Sequence, residues 1–324
     1  MQAKTKNNTV QEIADFLKRL EKAAVSTHTV PDGDAIGSAV ALVYLLRSLG
    51  ADAVFCHAEE APNYLAWLVP NEPLFECPPD YDLLVTDTSR SDRVGVVHEG
   101  VHPIRLNLDH HEDNPLYGEF NLVDAKAAAS AQIVAALYEE LGVPLEKNAA
   151  EAIYTGVSTD TGGFRFRNVS PAAHELVADL LRAGVVPAEV NDRINRTGTV
   201  EQLNIVGASM ANAERFGEAL ISVVDNDDYE RTGATELDSK EAIDRLRNVA
   251  GVDVVAHLRE VKGGTKASLR SESVDVGEIA RLFGGGGHRL AAGYTATKPP
   301  REAREDLLAV LKGVVDLGDV GGDE

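Results

Sequence analysis

The sequence predicts an α/β fold in two parts: an N-terminal doubly wound, mostly parallel sheet and a smaller C-terminal α+β domain, with a cleft between them. Three observations lead to this prediction. At 324 residues, the chain has room for about two domains of ordinary size. Over residues 1–186, short β-like runs alternate with helical patterns, which is typical of parallel α/β sheets. Over residues 217–315 a hairpin and fewer helices follow, as in α+β domains.

The first part begins with a helix, because Thr9 and Glu12 have the spacing of a capping box before an apolar helical stripe. The following β-like run stops at Pro31, and the next helix ends at Gly50, a residue that favours helix C-termini. We predict strands at Val25–Val30, Ala53–His57, Asp82–Thr86 and Ile104–Leu108, and helices at about 35–49, 130–141, 149–158 and 171–183.

The second part is preceded by a polar segment, residues 187–216, which we interpret as a partly helical linker. Residues 262–264, Lys-Gly-Gly, separate two β-like runs and predict a β-hairpin. Residues 316–324 form an acidic tail rich in Gly and Asp. We predict strands at Ala219–Val224, Val252–Glu260 and Thr265–Ser271, and helices at about 240–249, 275–283 and 301–314.

The charge of the chain excludes some partners. Lys and Arg number 31 against 52 Asp and Glu, a net charge of −21, so long nucleic acid and duplex DNA in particular should be repelled. Only 11 of the 31 basic residues are Lys, a composition that resembles proteins adapted to high salt.

The cellular compartment follows from what the sequence lacks. The two cysteines, Cys56 and Cys77, form no CxxC pair, which argues against a disulfide framework or a zinc knot. The N-terminus has no apolar signal segment, and no window approaches the roughly 18 apolar residues of a membrane span. We therefore expect a cytoplasmic protein with no membrane contact.

Acidic and histidine side chains follow the ends of predicted strands and of one helix. Because ligands bind beyond the carboxyl ends of strands in open α/β sheets, these groups are candidates for one site. Taken singly, each has a simpler interpretation as a turn, a helix cap or a structural histidine. The four groups are His28 with Asp32-Gly33-Asp34, then Asp87, then Asp109-His110-His111, and finally Asp160.

Together these groups indicate a metal site. Carboxylates with a few imidazoles suit Mn²⁺, with Mg²⁺ or Co²⁺ as alternatives, whereas zinc sites more often use sulfur or three histidines. Two ions about 3.5–4 Å apart activate water and neutralise the charge that develops on a phosphate, so no protein nucleophile is required. The sequence therefore predicts metal-assisted phosphoester hydrolysis.

The same four groups resemble the four motifs of the DHH phosphoesterase family. The run Gly284–His288, followed by Ala291-Ala292-Gly293, is similar to the signature of the family's DHH-associated C-terminal domain. The resemblance extends over both parts of the chain and is strongest to NrnA-type enzymes. These metal-dependent phosphodiesterases and phosphatases cleave very short oligoribonucleotides and remove the 3′-phosphate of pAp.

The resemblance implies a role for each matched residue. Asp87, Asp109 and His111 would be catalytic: Asp87 bridges two ions, His111 faces the scissile phosphate and Asp109 orients the histidine pair, with an exchange of roles between the two histidines left open. The ions would be held by His28, Asp32 and Asp87 on one side and by Asp34, Asp87, His110 and Asp160 on the other.

The C-terminal domain is expected to bind the substrate. Consecutive glycines allow an anion to approach backbone N–H groups, and His288 follows them directly. Arg270 matches the family's substrate arginine, which suits a bidentate phosphate contact. A flexible linker is the simpler interpretation of the glycines. The predicted substrate-binding residues are His111, Arg270, Gly285, Gly286, Gly287 and His288.

Other functions remain open at this stage. A RecJ-like single-strand exonuclease would need a longer basic channel, which the acidity disfavours. A pyrophosphatase-type hydrolase would leave the glycine run and His288 without a role, and a hydrolase of pApA from cyclic dinucleotides would use the same site. A non-catalytic nucleotide-binding adaptor fits least, since the ligand set is complete. A homodimer is compatible with the sequence.

Overall fold

The computed structural model describes residues 6–70, 73–99, 101–196 and 198–318. The chain divides into two units, with bounds Met1–Thr197 and Gly198–Glu324. Each unit has its own sheet and its own apolar core, so the predicted α/β class, a mostly parallel sheet followed by a smaller second domain, is confirmed. Among the described residues, no helix combines the length and the apolar character needed to cross a bilayer.

The first unit contains a five-stranded sheet in which every neighbouring pair is parallel. Its strands are β1 Lys22–Ser26, β2 Asp52–Phe55, β3 Asp82–Thr86, β4 Ile104–Asp109 and β5 Phe120–Val123. The order is β2-β1-β3-β4-β5. The chain passes from β1 to β2 on one side and returns to β3 on the other, so the carboxyl ends of β1 and β3 flank a topological switch point, where ligands bind in such sheets.

Helices cover one face of this sheet and form the larger core with it. They are α1 Val10–Leu17, α2 Gly33–Ser48, α3 Ser130–Leu141, α4 Lys147–Asp160, α5 Pro171–Arg182 and α6 Pro187–Asn195. The alternate residues of the strands, such as Ala24, Leu83 and Val85, point into a smaller apolar cluster on the opposite face.

Two glycines bring α2 and α4 into close contact. A Cβ on Gly37 would lie 2.4 Å from the carbonyl oxygen of Ala152, and one on Gly156 would lie 2.6 Å from a carboxylate oxygen of Asp34. Only glycine permits this approach. The contact brings the first turn of α2 close to the last turn of α4, where Asp160 lies.

The second unit contains a mixed six-stranded sheet of order β10-β11-β9-β8-β7-β6, in which only the β7–β8 pair is parallel. Its strands are β6 Ala213–Phe216, β7 Ala219–Val224, β8 Val254–Val261, β9 Gly264–Ser271, β10 Gly286–His288 and β11 Ala291–Ala296. Its helices are α7 Val200–Ala211, α8 Asn226–Thr232, α9 Ala242–Leu246, α10 Val276–Leu282 and α11 Pro300–Leu311.

Several elements differ from the prediction. Strand β1 lies earlier than the predicted Val25–Val30, because the chain leaves the parallel ladder after Ser26 and His28 forms an antiparallel bridge with Val94. The predicted linker 187–216 contains α6, α7 and β6. In the predicted tail, Leu317 packs into the second core, whereas residues 319–324 lie outside the described residues.

The contact between α2 and α4 can be tested with a pair of glycine variants. We expect Gly37→Ala to lower the free energy of unfolding by about 1–3 kcal/mol, because the added methyl group overpacks a backbone contact. In α7, a Cβ on Gly207 meets nothing within 4 Å, so Gly207→Ala should stabilise by up to about 1 kcal/mol through helix propensity. Chemical denaturation of both variants measures this, and equal stabilisation by the two changes would contradict the packing argument.

Candidate active site

The eight predicted site residues of the first unit converge at the carboxyl edge of the parallel sheet. Six of them line one cavity of about 160 Å³. Their positions follow from the topology: β1, β3 and β4 end at this edge, α2 begins there and α4 ends there. The six are His28, Asp32, Asp87, His110, His111 and Asp160, and the buried Asp34 and Asp109 lie directly beside them.

Asp32 and Asp34 each stabilise a helix N-terminus. Asp32 caps α2, where its Oδ1 accepts hydrogen bonds from the N–H groups of Asp34 and Ala35, both at 3.1 Å. Asp34 is fully buried and accepts hydrogen bonds from the N–H groups of Ser130 at 2.6 Å and Ala131 at 2.9 Å, at the start of α3. The helix cap that we considered as an alternative for Asp32 is therefore present, with its side chain still 56% exposed toward the cavity.

Asp87 lies at the centre of the group. Its backbone has a φ of 50°, in the left-handed region, and its N–H donates to the carbonyl oxygen of Leu108 at 2.9 Å. Its carboxylate is 2% exposed, accepts a hydrogen bond from Ser130 Oγ at 3.0 Å, and lies 3.6 Å from Nε2 of both His28 and His110. This turn directs the carboxylate between the two imidazoles.

The histidine rings are oriented by their second nitrogens. Nδ1 of His28 lies 2.8 Å from the carbonyl oxygen of Thr29, and Nδ1 of His110 lies 3.4 Å from that of Ala127. A proton on each Nδ1 leaves the Nε2 lone pair facing the carboxylates, which is the arrangement of metal-binding histidines. His111 Nδ1 lies 2.7 Å from Asp109 Oδ1, as in a hydrogen bond to an orienting carboxylate.

Three groups of side chains have ligand atoms close enough to hold a cation. Within each group, one ligand atom per residue lies within 4.8 Å of the others. The groups are His28 with Asp32 and Asp87, Asp34 with His110 and Asp160, and Asp87 with His110 and His111. Oxygen and imidazole donors in these sets suit divalent transition ions.

Two of these side chains, Asp34 and His110, have raised pKa values. Burial, followed by the charges of Asp87 and Asp160, holds the pKa of Asp34 well above its usual range. Burial lowers the pKa of His110, but the hydrogen bond and charge of Asp160 outweigh it and raise the pKa to about 9. Burial and neighbouring carboxylates thus favour protonation of Asp34, and the carboxylates favour protonation of His110, whereas at Asp87 burial is outweighed by the hydrogen bond and charges of the histidines, which lower the pKa. A bound cation would compete with the protons on Asp34 and His110.

In the second unit, Arg270 and His288 lie in one row across three strands. Ala291 of β11 pairs with Arg270 of β9 on one side and with His288 of β10 on the other. Directly opposed residues of antiparallel strands point to the same face, so the two side chains share a face at roughly 10 Å, or two strand spacings. Strand pairing therefore places the two predicted substrate-binding residues of the second unit in one row of the sheet.

The glycines before His288 have a steric role. A Cβ on Gly285 would lie 2.2 Å from the carbonyl oxygen of Gly293, and one on Gly287, with a φ of 140°, would lie 2.6 Å from Cα of Ala292. Gly286 and Gly287 belong to β10 rather than to an open loop, while both remain exposed. Contact of Gly285, Gly286 and Gly287 with phosphate stays a prediction.

Two partners of the site were missed from the sequence. Ser130 bonds to Asp87 and Asp34 from 43 and 96 residues away, and no local pattern marks such a contact. Asn114 donates to Asp109 Oδ2 at 2.5 Å and to Asn107 at 2.7 Å. Its position five residues after Asp109 is a weak signal for a turn that folds back on the strand end.

The comparisons with known families agree with this arrangement. The profile of the DHH family, N-terminal domain, matches residues 22–157, and that of the DHHA1 domain matches residues 216–316. The chain is 37% identical over 291 residues to the bifunctional oligoribonuclease and PAP phosphatase NrnA of Thermus thermophilus, which covers 87% of each protein. The chain belongs to the DHH family.

Other similar proteins are more distant in sequence. The NrnA protein of Bacillus subtilis is 26% identical over 82% of this chain and 86% of its own length. An exopolyphosphatase-related protein from Bacteroides fragilis has the same fold, with a TM-score of 0.83 at 22% identity over 94% of this chain and 96% of its own. The exonuclease RecJ bound to manganese has a TM-score of 0.55 at 15% identity, covering 98% and 97%. The family predicted from the sequence motifs is confirmed.

Metal binding by this DHH site should release protons. The pKa of His110, raised to about 9, means that this imidazole holds a proton at neutral pH without a cation, and the pKa of Asp34 is raised as well. Protons on these two groups must leave when they become ligands. We therefore expect Mn²⁺ affinity to rise with pH from 6 to 9, by about tenfold per pH unit for each proton released.

Calorimetry of Mn²⁺ binding in buffers of different ionisation enthalpy counts these protons. His174→Gln, an exposed change on α5 outside the cavity, should leave the count unaltered. A Mn²⁺ affinity that is constant over this pH range would contradict the electrostatic account.

Proposed function

We propose that the chain is a two-metal phosphoesterase that hydrolyses very short oligoribonucleotides and the 3′-phosphate of pAp-like nucleotides. The observation that carries this proposal is the position of the buried carboxylate of Asp87, which belongs to the candidate ligand group of His28 and Asp32 and lies 3.6 Å from Nε2 of His110, a member of the group with Asp34 and Asp160. The names of the relatives from Thermus thermophilus and Bacillus subtilis, bifunctional oligoribonuclease and PAP phosphatase, support the substrate class.

Each ion has its own set of ligands in this proposal, with Asp87 shared. His28 and Asp32 complete one set, and Asp34, His110 and Asp160 complete the other. The carboxylate and imidazole donors favour Mn²⁺, with Mg²⁺ or Co²⁺ as alternatives. Bound there, the ions supply an activated water and stabilise negative charge on the phosphate.

In this proposal His111 contacts the phosphate group, and Asp109 orients His111. The hydrogen bond to Asp109 raises the pKa of His111, against the effect of burial, and so favours the imidazolium form. The His111 side chain is 43% exposed and lines the cavity, where it donates a hydrogen bond to a phosphate oxygen. Asp109 is fully buried and holds the ring in place, as a carboxylate behind a working histidine does.

The size and charge of the molecule favour short substrates. A cavity of about 160 Å³ has room for a phosphate group and part of a sugar. The net charge of −21 opposes the approach of a long polyanion, whereas Arg270 and His288 offer local positive or hydrogen-bonding groups to a terminal phosphate.

A substrate panel tests this function. With Mn²⁺, we expect turnover of pAp and of linear pApA, and little action on pyrophosphate or on long single-stranded DNA. Product analysis by chromatography distinguishes 3′-phosphate removal from cleavage between nucleotides. Rapid digestion of the long DNA without action on pApA would instead indicate a RecJ-like exonuclease.

Asp87→Asn is the matched inactive variant for the panel. Because Asp87 is proposed to serve both ions, loss of its carboxylate should reduce kcat by more than about 100-fold, the upper end of the loss on removing an outer partner of a metal ligand. Asp113→Asn removes an exposed carboxylate soon after His111 and should retain full activity. Near-normal activity of Asp87→Asn would exclude the proposed ligand assignment.

The second unit is tested by a change in substrate selection. Arg270→Ala and His288→Ala should lower the preference for pApA over unphosphorylated ApA, measured as the ratio of kcat/KM, by about 10- to 100-fold, the value of a lost charge-assisted hydrogen bond. Mn²⁺ affinity should not change, and Lys262→Gln in the hairpin turn serves as the control. An equal loss on both substrates would argue against recognition of the terminal phosphate by this row.

A further inference from the structure

One short segment completes the wall of the active-site cavity. Six of the nine lining residues are candidate metal ligands or His111. The other three come from residues 88–93, which directly follow Asp87: Thr88, Ser89 and Arg93. Neither the sequence motifs nor the proposed function assigns a role to this segment.

The backbone of this segment is fixed to the loop that carries His28. The carbonyl oxygen of Arg93 accepts a hydrogen bond from the N–H of Thr29 at 2.8 Å, and Val94 forms a β-bridge with His28. The N–H of Arg93 donates to the carbonyl oxygen of Arg90 at 3.0 Å, closing a 3₁₀ turn at Ser91–Arg93. These bonds therefore fix the backbone of Arg93 next to His28, a candidate metal ligand.

The guanidinium of Arg93 forms no ion pair among the described residues, although its charge interacts with that of neighbouring Asp92. Within the described ranges, no carboxylate oxygen lies within 4.0 Å of its nitrogens, although the chain has 52 acidic residues. Arg90, three residues earlier, is held by two hydrogen bonds to Asp92, at 3.0 and 2.8 Å. Arg93 is also the single Lys or Arg among the residues that line the cavity, and it is exposed.

The negative charge of the site favours a cationic side chain beside the phosphate. The four candidate ligand carboxylates, Asp32, Asp34, Asp87 and Asp160, carry four negative charges, which two divalent ions only balance. A phosphate dianion that enters this cavity therefore needs a further positive charge, and a guanidinium is suited to it because it binds phosphate oxygens in pairs.

We propose that Arg93 binds the non-bridging oxygens of the phosphate that occupies the cavity and thereby positions it for hydrolysis. The proposal rests on the function proposed above and adds a phosphate-binding residue to the catalytic unit, distinct from Arg270 and His288 of the second unit. Loss of Arg93 is then expected to weaken binding of phosphate-containing ligands while the metal ligands remain in place.

Three variants test this role. Arg93→Gln removes the charge, Arg93→Lys keeps the charge but not the paired donors, and Arg90→Gln changes an arginine that forms an ion pair in the same segment and lies outside the cavity lining. Calorimetry measures the binding of Mn²⁺ to each variant and then the binding of AMP to the Mn²⁺-loaded protein. Steady-state kinetics with pAp give kcat and KM.

Arg93→Gln should weaken AMP binding and raise KM by about 10- to 100-fold with unchanged Mn²⁺ stoichiometry and affinity. Arg93→Lys should recover part of the loss, and Arg90→Gln should behave like the parent protein. AMP binding and KM that do not change in Arg93→Gln would overturn the proposal, and so would a parallel loss of Mn²⁺ binding, which would indicate a structural role.

The two proposals fail in different ways. A parent protein that hydrolyses none of the nucleotides but binds AMP through Arg93 would contradict the proposed function and support the phosphate-binding role. Conversely, full activity of Arg93→Gln on pAp and pApA would support the function and exclude this role for Arg93.

Discussion

The mutual repulsion of buried carboxylates at one edge of the parallel sheet is the constraint around which the first unit is built. Asp34, Asp87 and Asp109 are each at most 2% exposed, and a buried carboxylate is costly unless hydrogen bonds or charges compensate it. Backbone N–H groups satisfy Asp34, a hydroxyl and two imidazoles surround Asp87, and backbone N–H groups with His111 and Asn114 surround Asp109.

The same contacts serve the fold and the site. Helix α3 has no side-chain cap of its own at Ala129, and the carboxylate of Asp34, from the first turn of α2, accepts the N–H bonds at its start. The glycines between α2 and α4 allow this approach, so the packing of three helices determines where Asp34 and Asp160 lie. A change in helix packing would therefore move candidate ligands, and stability and chemistry are coupled in this unit.

Most of the fold and of the candidate site could be predicted from the sequence. Local patterns show polar groups directly after strands, and parallel topology brings the carboxyl ends of those strands together. The long-range partners could not: Ser130 and Arg93 reach the site through tertiary contacts that leave no local pattern. Strand β11, Ala291–Ala296, was missed because Ala and Gly have low β propensity, and pairing with β9 outweighs it. The short α8 has a capping box at Asp225 but no apolar stripe.

The net negative charge of the molecule contrasts with the arginines among its candidate binding residues. Among the described residues, neither Arg93 in the first unit nor Arg270 in the second has a carboxylate within 4.0 Å, whereas acidic groups dominate the chain as a whole. A long polyanion would meet that acidic surface along its whole length, and a short nucleotide would meet mainly the local cations. Because surface repulsion is screened over about 8 Å at physiological ionic strength while a paired guanidinium contact is not, added salt should narrow the discrimination between short and long substrates without removing phosphate recognition.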